Sequence, residues 1–489
     1  MQIIDTSDYI VIGSGAGGLN AAFVLAKSGA SVTILEEGFN YSKINFPKNM
    51  LGALEHLWRD FGYQHSTGNA ILPILEGCCI GGSTTISGAI YHPLPKATVD
   101  EWIANEPSLT KTFEWHKLES VLRDIKEELG VTNKLQGFIK NSRKLNEVSS
   151  PTNTFTGMNR FAPGCIHTGS CLIGCPSGGK NSLENTLLPK FLNLSGRVYS
   201  GHKVKFITLE GSIGTGVVAQ AFDSNNKSIG KKYFKANKGI IVACGTIQSP
   251  LLLKRSGFSN MHIGRNFQLH TGSAVVGEYS RPSVDIEGPA MGLEVFNSEK
   301  GYKLSSQTIP TELLFARLPF IGSQLKEKMK LKRNFSAWTS LIKSSGHGKV
   351  SSGLWGPSLK FSVTPNDMLS IRSAAHQMAE NLFELGAQII YPQIQGIPNT
   401  LTKKSDLSLI SQGPLDPSAY PLAASHLFGT CKIGSTPYNS VVDPNFLIHG
   451  TKNIFVLDAS IFPSNLGVNP QASIMAIARL GSQKVLECT

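Results

Sequence analysis

The feature that most constrains the fold of this chain is a glycine-rich turn close to its first residue. An apolar run at residues 9–12 leads directly into Gly13-Ser-Gly15-Ala-Gly-Gly18. Apolar residues then recur at helical spacing before a second apolar run at residues 32–35. This order of strand, glycine turn, helix and strand predicts a βαβ unit of the dinucleotide-binding type.

Each glycine of the turn has its own physical reason in such a unit. We predict that Gly13 permits the tight turn, that Gly15 lets the backbone approach a pyrophosphate, and that Gly18 lets the helix lie close to the sheet. The unpaired N–H groups and the positive dipole end of the helix would hold the pyrophosphate. Glu36 follows the second apolar run and is placed to accept hydrogen bonds from a ribose, which favours FAD or NAD over NADP. The alternative is a glycine turn in an ordinary α/β protein.

A second signal lies toward the other end of the chain. Residues 454–457 predict a buried strand that ends in Asp458, and Asn469-Pro470 opens the last predicted helix. Asn is a favoured N-cap, and proline suits the first helical turn, where its missing N–H costs nothing. Asn469 and Pro470 are also candidate cofactor-binding residues, because a helix start stabilises an anion such as the N1–C2=O edge of a reduced flavin. The alternative is a helix cap with no further role.

Five blocks in a fixed order resemble the glucose–methanol–choline oxidoreductases, which are FAD enzymes that act mainly on alcohols. The second block contains GCCIGGSTTISG, the third contains CIHTGSCLIGC, and the fourth contains GIIVACGTIQSP and IGRNFQLH. The first is the glycine-turn unit, and the fifth begins with SHLFGTCKIG and ends in the last predicted helix. The five blocks are residues 8–40, 77–102, 165–190, 239–270 and 424–485.

The resemblance implies an active-site pair. His426 is one of 12 histidines, and spacing alone cannot choose among them, since a lone histidine is more often structural than a general base. His426 matches the family's His-x-x-Gly-Thr histidine at the reacting face of the flavin, and Asn469 falls where members carry Asn or His. The implied reaction oxidises CH–OH to a carbonyl. His426 takes the hydroxyl proton, while Asn469 hydrogen-bonds the same oxygen and aligns the carbon with flavin N5.

The resemblance also implies contacts with FAD. Gly82 and Ser83 match the family's flavin-contacting turn, and Asp458 matches the acid before the flavin-binding loop. Val204 resembles the valine whose backbone touches adenine.

Two positions of the second block depart from the family pattern. Some members attach FAD covalently through a histidine at the position of Ile86, so we expect non-covalent FAD here. Ser87 stands where members usually carry Asn, so we expect no asparagine-specific contact at that place.

Flavin motifs at both ends and in the middle predict an α/β fold with a Rossmann-like FAD-binding domain assembled from discontinuous segments. The resemblance implies that the rest forms an α+β substrate-binding domain with an antiparallel sheet. The predicted segments are 1–105, 161–270 and 416–489 for the FAD-binding domain, and 106–160 and 271–415 for the substrate-binding domain. Within the latter, residues 359–368 predict a strand and turn, and residues 371–387 predict a helix.

The cysteines argue against a metal site and against a disulfide framework. Cys165, Cys171 and Cys175 lack a fourth ligand and the tighter pairs that metal sites use, so we predict no metal. The resemblance implies a structural loop, as in the steroid, long-chain-alcohol and sugar-acid branches, while a thiol role stays open. Eight cysteines without regular spacing predict a reducing, cytoplasmic compartment.

The net charge of +12 raises the question of nucleic-acid or membrane partners. The charge is densest at residues 326–333, where the alternatives are a solvated helix face and a weak contact with an anionic membrane surface. We find no nucleic-acid motif and predict no such partner. No apolar run reaches the length of a transmembrane segment.

These patterns predict an FAD-dependent alcohol oxidase or dehydrogenase with a small-molecule alcohol substrate. They leave open whether oxygen or an external carrier accepts the electrons. Bulky apolar alcohols such as sterols or long-chain alcohols fit the cysteine segment, and a sugar derivative is the next choice. The alternatives are an FAD-containing lyase or other non-redox enzyme on the same scaffold, and a flavin-free binding protein. Residues 280–350 are the least informative and do not predict the substrate.

Overall fold

The computed structural model of the chain describes residues 3–42, 44–133, 155–282, 291–297, 299–354 and 356–489. These residues form two sheets with helices around them. The strands, in chain order, are β1 (Ile3–Ile12), β2 (Val32–Leu35), β3 (His65–Thr67), β4 (Leu72–Pro73), β5 (Thr156–Gly157), β6 (Arg197–Tyr199), β7 (His202–Glu210), β8 (Ile213–Phe222), β9 (Ser228–Val242), β10 (Arg265–Thr271), β11 (Ala274–Glu278), β12 (Met291–Asn297), β13 (Tyr302–Gln307), β14 (Phe335–Lys343), β15 (Gly348–Gly353), β16 (Gly356–Lys360), β17 (Ile389–Tyr391), β18 (Leu427–Phe428) and β19 (Ile454–Val456). The α-helices are α1 (Ala16–Lys27), α2 (Met50–His56), α3 (Lys96–Asn105), α4 (Trp115–Glu128), α5 (Leu183–Asn193), α6 (Gly245–Arg255), α7 (Thr311–Phe315), α8 (Gly322–Lys330), α9 (Pro365–Glu384), α10 (Leu407–Ser411) and α11 (Gln471–Cys488).

The first sheet is built around β1. Strands β2 and β9 pair with it in parallel, β6 pairs in parallel with β2, and β19 pairs in parallel with the end of β9. The antiparallel strands β8 and β7 extend the sheet beside the first part of β9. Because its strands come from widely separated parts of the chain, the sheet confirms the predicted Rossmann-like domain of discontinuous segments.

The parallel strands of this sheet end in register. Ile12 pairs with Leu35 and with Val242, and Val242 pairs with Val456. The residues that leave this carboxyl edge of the sheet include Gly13, Glu36, Ala243 and Asp458. Ligands of parallel α/β sheets bind at this edge, so the register brings the two predicted motifs to one place.

Burial explains why the first strand was predicted too short. Residues 9–12 are buried, as expected for a parallel strand covered on both faces. Residues 5–8 are polar and separate Ile3 and Ile4 from that apolar run, but the segment from Ile3 onward still pairs with β9. The strand therefore begins at Ile3 rather than at Tyr9.

Helix α1 lies unusually close to the first sheet. A Cβ atom added to Gly18 would lie 1.9 Å from the carbonyl oxygen of Gly13, and one added to Gly17 would lie 2.0 Å from that of Leu457. Gly13 itself has a φ of +101°, which glycine adopts without strain. The glycines therefore set the distance between helix and sheet, and α11 packs against α1 on the outside.

The second sheet is almost entirely antiparallel. Strand β14 pairs with β11 and β13 and, at its end, with β10, while β12 and β5 follow β13 and β17 follows β11. Strands β15, β16, β3 and β4 continue from β10, with the β16–β3 pair parallel. Helix α9 packs its apolar face across β11, β13 and β14. This arrangement confirms the antiparallel sheet with helices that the resemblance implied.

The borders predicted between the two domains stay predictions. Part of the predicted substrate-binding domain, residues 134–154 and 283–290, lies outside the described residues.

The predicted start of α9 is wrong. We expected residues 359–368 to form a strand and turn and the helix to begin at residue 371, but the helix begins at Pro365. The Thr364 hydroxyl accepts a hydrogen bond from the N–H of Asp367, and the Asp367 carboxylate accepts one from the N–H of Thr364. This capping box, with proline in the first turn, starts the helix before its apolar face begins.

The basic stretch 326–333 forms the end of α8 and the turn after it. Lys328 Nζ lies 2.5 Å from Glu278 Oε1, and Lys330 Nζ lies 2.6 Å from Glu327 Oε1. Two of these lysines are therefore neutralised within the chain. A contact of this stretch with lipid stays untested, and none of the helices in the described ranges is long and apolar enough to cross a bilayer.

We expect Gly17→Ala to destabilise the protein by about 1–3 kcal/mol, because the new methyl group overlaps the Leu457 carbonyl at the helix–sheet contact. Gly15→Ala is the matched control, since an added Cβ there meets nothing within 4 Å and φ is −71°. Thermal and denaturant unfolding of the two variants, both freed of FAD, tests this, because weaker FAD binding in Gly15→Ala would otherwise lower its stability. An equal loss of stability in both would contradict it.

Candidate active site

A cavity of about 730 Å³ opens at the carboxyl edge of the first sheet and extends to the second sheet. Every predicted cofactor-binding or catalytic residue except Gly18 contributes to its wall. These residues are Gly13, Gly15, Glu36, Gly82, Ser83, Val204, His426, Asp458, Asn469 and Pro470. Gly18 is buried beneath the turn, against the carbonyl of Gly13. The volume is in the range of small-molecule and cofactor sites.

Two glycine turns meet at the start of α1. Gly15 precedes the first turn of the helix, and a Cβ added there would point into open space. Gly82 has a φ of +54°, and its Cβ would lie 2.9 Å from the Cα of Gly15. The N–H of Gly81 donates to Ser14 Oγ at 3.1 Å. The contact leaves the N–H groups of the helix start open to the cavity, where an anion can bind.

Glu36 is held by the first glycine turn. Its Oε2 accepts hydrogen bonds from the N–H and the hydroxyl of Ser14 at 2.9 and 2.8 Å, and its Oε1 accepts one from the N–H of Gly38 at 2.9 Å. Burial raises the pKa of this carboxyl above its usual value, and these hydrogen bonds oppose the shift. The side chain also lines the cavity, and its contact with a ribose stays a prediction.

A charged cluster that was not singled out from the sequence lies beside Val204. Glu37 Oε2 is 3.0 Å from Arg59 Nη1, and Glu37 Oε1 is 2.6 Å from Lys203 Nζ. Burial would raise the pKa of Glu37, but the charges of Arg59 and Lys203 outweigh it and lower the pKa to about 2. The ion pairs therefore fix this part of the cavity wall in one arrangement.

Asp458 holds the start of α6 against the loop after β19. Its Oδ2 accepts hydrogen bonds from the N–H of Gly245 at 2.9 Å and from the hydroxyl of Ser249 at 2.5 Å. Its Oδ1 accepts one from the N–H of Ser460 at 2.8 Å. Burial raises the pKa of Asp458, and these hydrogen bonds oppose the shift. Its predicted part in FAD binding stays a prediction.

The structure brings His426 and Asn469 together. Asn469 Nδ2 lies 3.4 Å from His426 Nε2. On the other side of the ring, His426 Nδ1 lies 3.2 Å from His270 Nδ1, and the N–H of Gly467 donates to His270 Nε2 at 2.9 Å. Nε2 is therefore the nitrogen of His426 that is available at the Asn469 side of the cavity.

The prediction that Asn469 is the N-cap of the last helix is wrong. Helix α11 begins at Gln471, Pro470 occupies the cap position, and no side chain caps the helix. Asn469 Oδ1 instead accepts a hydrogen bond from Lys303 Nζ at 2.5 Å. The Asn469 carboxamide therefore contacts Lys303 and His426 in the cavity wall and does not cap the helix.

His426 is kept in its neutral form. Burial is the main cause that lowers its pKa to about 3, and the charge of Lys303 and the neighbouring His92 lower it further. Burial likewise lowers the pKa of His270 well below its usual value. Electrostatic repulsion by His426 and Lys303 lowers this pKa further. Both imidazoles are therefore neutral at physiological pH.

Sequence analysis missed a polar group beside this pair. Lys303 lies on β13, and its neighbours are Glu294 on β12 and His92. The available signal was the alternation of Lys303, Ser305 and Gln307, whose side chains share one face of the strand and line the cavity. An alternating polar pattern also suits a solvent-exposed face, so it did not identify a site.

The cysteine segment supports the turn that contains Gly82. Lys180 Nζ donates to the carbonyl oxygens of Thr85 at 2.6 Å and Cys171 at 2.9 Å. The guanidinium of Arg160 lies 3.5 Å from Cys171 Sγ and 3.7 Å from Cys165 Sγ. The eight cysteines are free thiols, and within the described part of the chain no group of three His, Cys, Asp or Glu residues is placed to hold a metal ion.

The residues of the cavity fit FAD. The open start of α1 at Gly15 suits a pyrophosphate, and the Glu36 carboxylate suits a ribose. At the start of α11, Gln471 lines the cavity, and its buried Nε2 has no hydrogen-bond partner among the described residues. A buried donor of this kind needs an acceptor, which the carbonyl and nitrogen edges of a flavin provide.

Comparison with known proteins agrees with this geometry. The N-terminal GMC oxidoreductase family model matches residues 7–272, and the C-terminal one matches residues 347–478. A GMC-type oxidoreductase of Sinorhizobium fredii is 26% identical over 487 residues, which cover 96% of this chain and 93% of the relative. A long-chain-alcohol oxidase of Arabidopsis thaliana is 26% identical over 504 residues, which cover 96% of this chain and 67% of the relative. The structure of formate oxidase from Aspergillus oryzae, at 14% identity, has the same fold, with a TM-score of 0.73 over 100% of this chain and 99% of that chain.

The family models cover most of the chain, and the cavity has the groups that FAD needs. The chain therefore belongs to the GMC oxidoreductase family, and it is an FAD-dependent oxidoreductase that acts on CH–OH donors.

Proposed function

We propose that this enzyme oxidises the alcohol group of a bulky apolar substrate, a long-chain alcohol or a sterol, with His426 as the base. The observation that carries the proposal is the contact of Asn469 Nδ2 with His426 Nε2, 3.4 Å apart, in the wall of the cavity that also contains both glycine turns. A neutral imidazole and a carboxamide together can accept the proton of a hydroxyl group and hold its oxygen.

The chain's own part in the reaction is to hold the alcohol and to take its proton. The hydroxyl oxygen lies between His426 Nε2, which accepts the proton, and Asn469 Nδ2, which donates a hydrogen bond. When bound, FAD supplies the hydride acceptor, flavin N5. Acceptance at Nε2 requires that His426 carries its own proton on Nδ1 and donates it to His270 Nδ1. His270 then carries its proton on Nε2, and its hydrogen bond with the N–H of Gly467 opens.

The low pKa of His426 decides when the proton moves. A base whose pKa is about 3 does not deprotonate an unreacted alcohol to any extent. The hydroxyl group becomes strongly acidic only while the hydride leaves its carbon and the carbonyl forms. The proton therefore passes to His426 together with the loss of hydride, not before it.

The substrate class follows from the wall of the cavity beyond His426. Its lining combines apolar and polar side chains where the second sheet and α7 contribute, and the polar ones include Thr271, Ser273, Ser305, Gln307, Thr339 and Ser340. The apolar lining residues include Val276, Met291, Ile309, Leu313, Leu314 and Leu341. The apolar part of this wall can hold a hydrocarbon. The similarity to a long-chain-alcohol oxidase over nearly the whole chain supports the same choice.

Anaerobic reduction of the bound flavin across a panel of alcohols tests the function. We expect long primary alcohols or sterols to bleach the flavin, and the apparent affinity to rise roughly threefold per added methylene until the pocket is filled. Sugars should reduce it poorly. Readmission of air then separates an oxidase, which reoxidises rapidly, from a dehydrogenase that needs a carrier. A flavin that stays oxidised with every alcohol would favour a lyase or other non-redox activity.

We expect His426→Ala to retain FAD and to reduce the limiting rate of flavin reduction by about 10²–10⁴, the usual contribution of a general base. His116→Ala is the matched control, because this histidine is on the exposed surface of α4. Stopped-flow reduction with the best alcohol and the flavin content of each variant give the comparison. Undiminished reduction in His426→Ala would refute the assignment of the base.

The pH dependence follows from the same histidine. The base works in its neutral form, so protonation of His426 lowers the rate, and with a pKa of about 3 this loss occurs only in strong acid. We expect the limiting rate of flavin reduction to show no acid limb between about pH 5 and 8. An acid limb centred near the ordinary histidine pKa, about 6.5, would show that His426 is not held neutral.

A further inference from the structure

A buried lysine lies behind the active-site pair. The Lys303 side chain is 2% exposed, although it reaches the cavity wall. Its Nζ donates to Asn469 Oδ1 at 2.5 Å and lies 3.3 Å from Glu294 Oε2. Lysine is rarely buried to this degree without an anionic partner, and neither the sequence motifs nor the proposed reaction uses it.

The register of the second sheet brings this group together. Strands β12 and β13 are antiparallel, with Glu294 opposite Ser305 and Phe296 opposite Lys303. Glu294 and Lys303 are therefore diagonal neighbours on one face, within reach of each other. The ring of Phe296 covers the ammonium with its centroid 5.7 Å away. The lysine is thus fixed by backbone pairing and not by a flexible loop.

Glu294 stabilises the charged form of Lys303. Burial would raise the pKa of Glu294, but the hydrogen bond with His92 Nε2 at 2.8 Å and the charge of Lys303 outweigh it and lower the pKa. Burial lowers the pKa of Lys303, and the Glu294 carboxylate opposes that shift. Since a buried carboxylate without a cation is strongly destabilising, the pair persists as ammonium and carboxylate.

The ammonium determines the orientation of Asn469. Lysine has donors and no acceptor, so the amide atom that faces Nζ at 2.5 Å is the oxygen. The NH₂ group of Asn469 must then face His426 and the cavity. An ammonium on the oxygen also polarises the amide, which strengthens its N–H groups as donors. The carboxamide therefore presents a donor to any oxygen that enters between the two residues.

We propose that Lys303, held by Glu294, is a positioning residue for the reaction: it fixes the Asn469 carboxamide with its NH₂ group toward the substrate oxygen and places a positive charge near His426. The proposal rests on the proposed function of His426 and Asn469. Lys303 itself gains and loses no proton in the reaction and does not touch the substrate. The proton passes to His426, and the positive charge of Lys303 sets the energy of that transfer.

The groups around His426 allow the effect of Lys303 to be isolated. His270 is in contact with Nδ1, and Lys303 and His92 act on the ring through space. Glu294 stands behind Lys303, and Lys343 acts on His270. Lys303 is the charged group with the largest effect on the pKa of His426, and Glu294 is its anionic partner, so the two can be neutralised together.

The test is a pH titration of the histidine ring signals by NMR in the FAD-loaded enzyme labelled with ¹³C-histidine, with His426→Gln to assign the signal. The double variant Lys303→Met/Glu294→Gln replaces both charges by neutral groups of similar length, so no buried charge is left unpaired. We expect the His426 signal of the wild type to show no titration between about pH 4.5 and 8. In the double variant its pKa should rise by about one unit or more, which brings the upper part of the titration curve into this range.

Glu294→Gln alone is the matched control. It perturbs the same pocket but leaves the ammonium, which is protonated in the acid range where His426 titrates. We expect His426 to stay untitrated in this variant. Equal titration in the single and double variants would show a damaged pocket and overturn the proposal, as would an unchanged signal in the double variant. If the double variant loses FAD, the His426 signal is titrated in Lys303→Met alone.

Kinetics with the best alcohol complete the test. In the double variant we expect the limiting rate of flavin reduction to fall about tenfold or more with a small change in KM, and its acid limb to move upward with the pKa of His426. The NMR titration needs no substrate, so it decides the role of Lys303 even if no alcohol reduces the flavin. Conversely, an unaltered His426 titration in a double variant that oxidises alcohol normally would contradict only the role of Lys303.

Discussion

The close contact between α1 and the first sheet is the constraint on which the site depends. Gly17 and Gly18 have no room for a Cβ atom. A Cβ on Gly17 would lie about 2 Å from the carbonyl oxygen of Leu457, and one on Gly18 would lie about 2 Å from that of Gly13. This contact points the start of α1 at the carboxyl edge, where β1, β2, β9 and β19 end in register. The open start of α1, the acid Glu36 and the loop after β19 meet there because of this backbone pairing and glycine packing.

The loop that carries Asn469 is fixed by the second sheet. Gln268 Oε1 accepts from the N–H of Asn465 at 3.2 Å, and the His270 ring lies against Gly467 of the same loop. Gln268 and His270 lie on one face of β10, so alternate residues of a single strand hold successive parts of the loop. The antiparallel sheet therefore positions the active-site pair as well as covering the cavity. Such support from a rigid element matters because hydride transfer tolerates little misplacement.

The sequence predicted the parts of the site that have a local cause. The turn from Gly13 to Gly18 and the acid at Glu36 are short-range patterns whose chemistry depends on their immediate neighbours, and they predicted the fold and residues that line the cavity. His426 and Asn469 came from the family resemblance, because nothing in their own neighbourhood distinguishes them from structural residues. The error at Asn469 has a physical reason: its neighbours favour a helix cap, but a lysine distant in the chain offers its carboxamide a stronger, charge-assisted hydrogen bond.

Lys303 and Glu294 could not be found in this way. Each is a charged residue on a strand, which usually marks an exposed face, and only the register of β12 with β13 shows that the two charges share one buried face. Their charges neutralise each other only after the sheet has formed, so the information is in the pairing of strands and not in any segment of the sequence.

The buried cation has two opposed effects on the chemistry. It makes His426 a weaker base, because an imidazolium beside an ammonium is repelled. It also favours negative charge nearby and strengthens the donor that Asn469 offers to an oxygen. If the alcohol had to lose its proton first, the reaction would be slower, because the weaker base would limit its rate. If proton and hydride leave together, the reaction is faster. The base then takes its proton from a hydroxyl group that has become acidic, and the carboxamide stabilises the charge on its oxygen. The position of Lys303 therefore fits the second order of events.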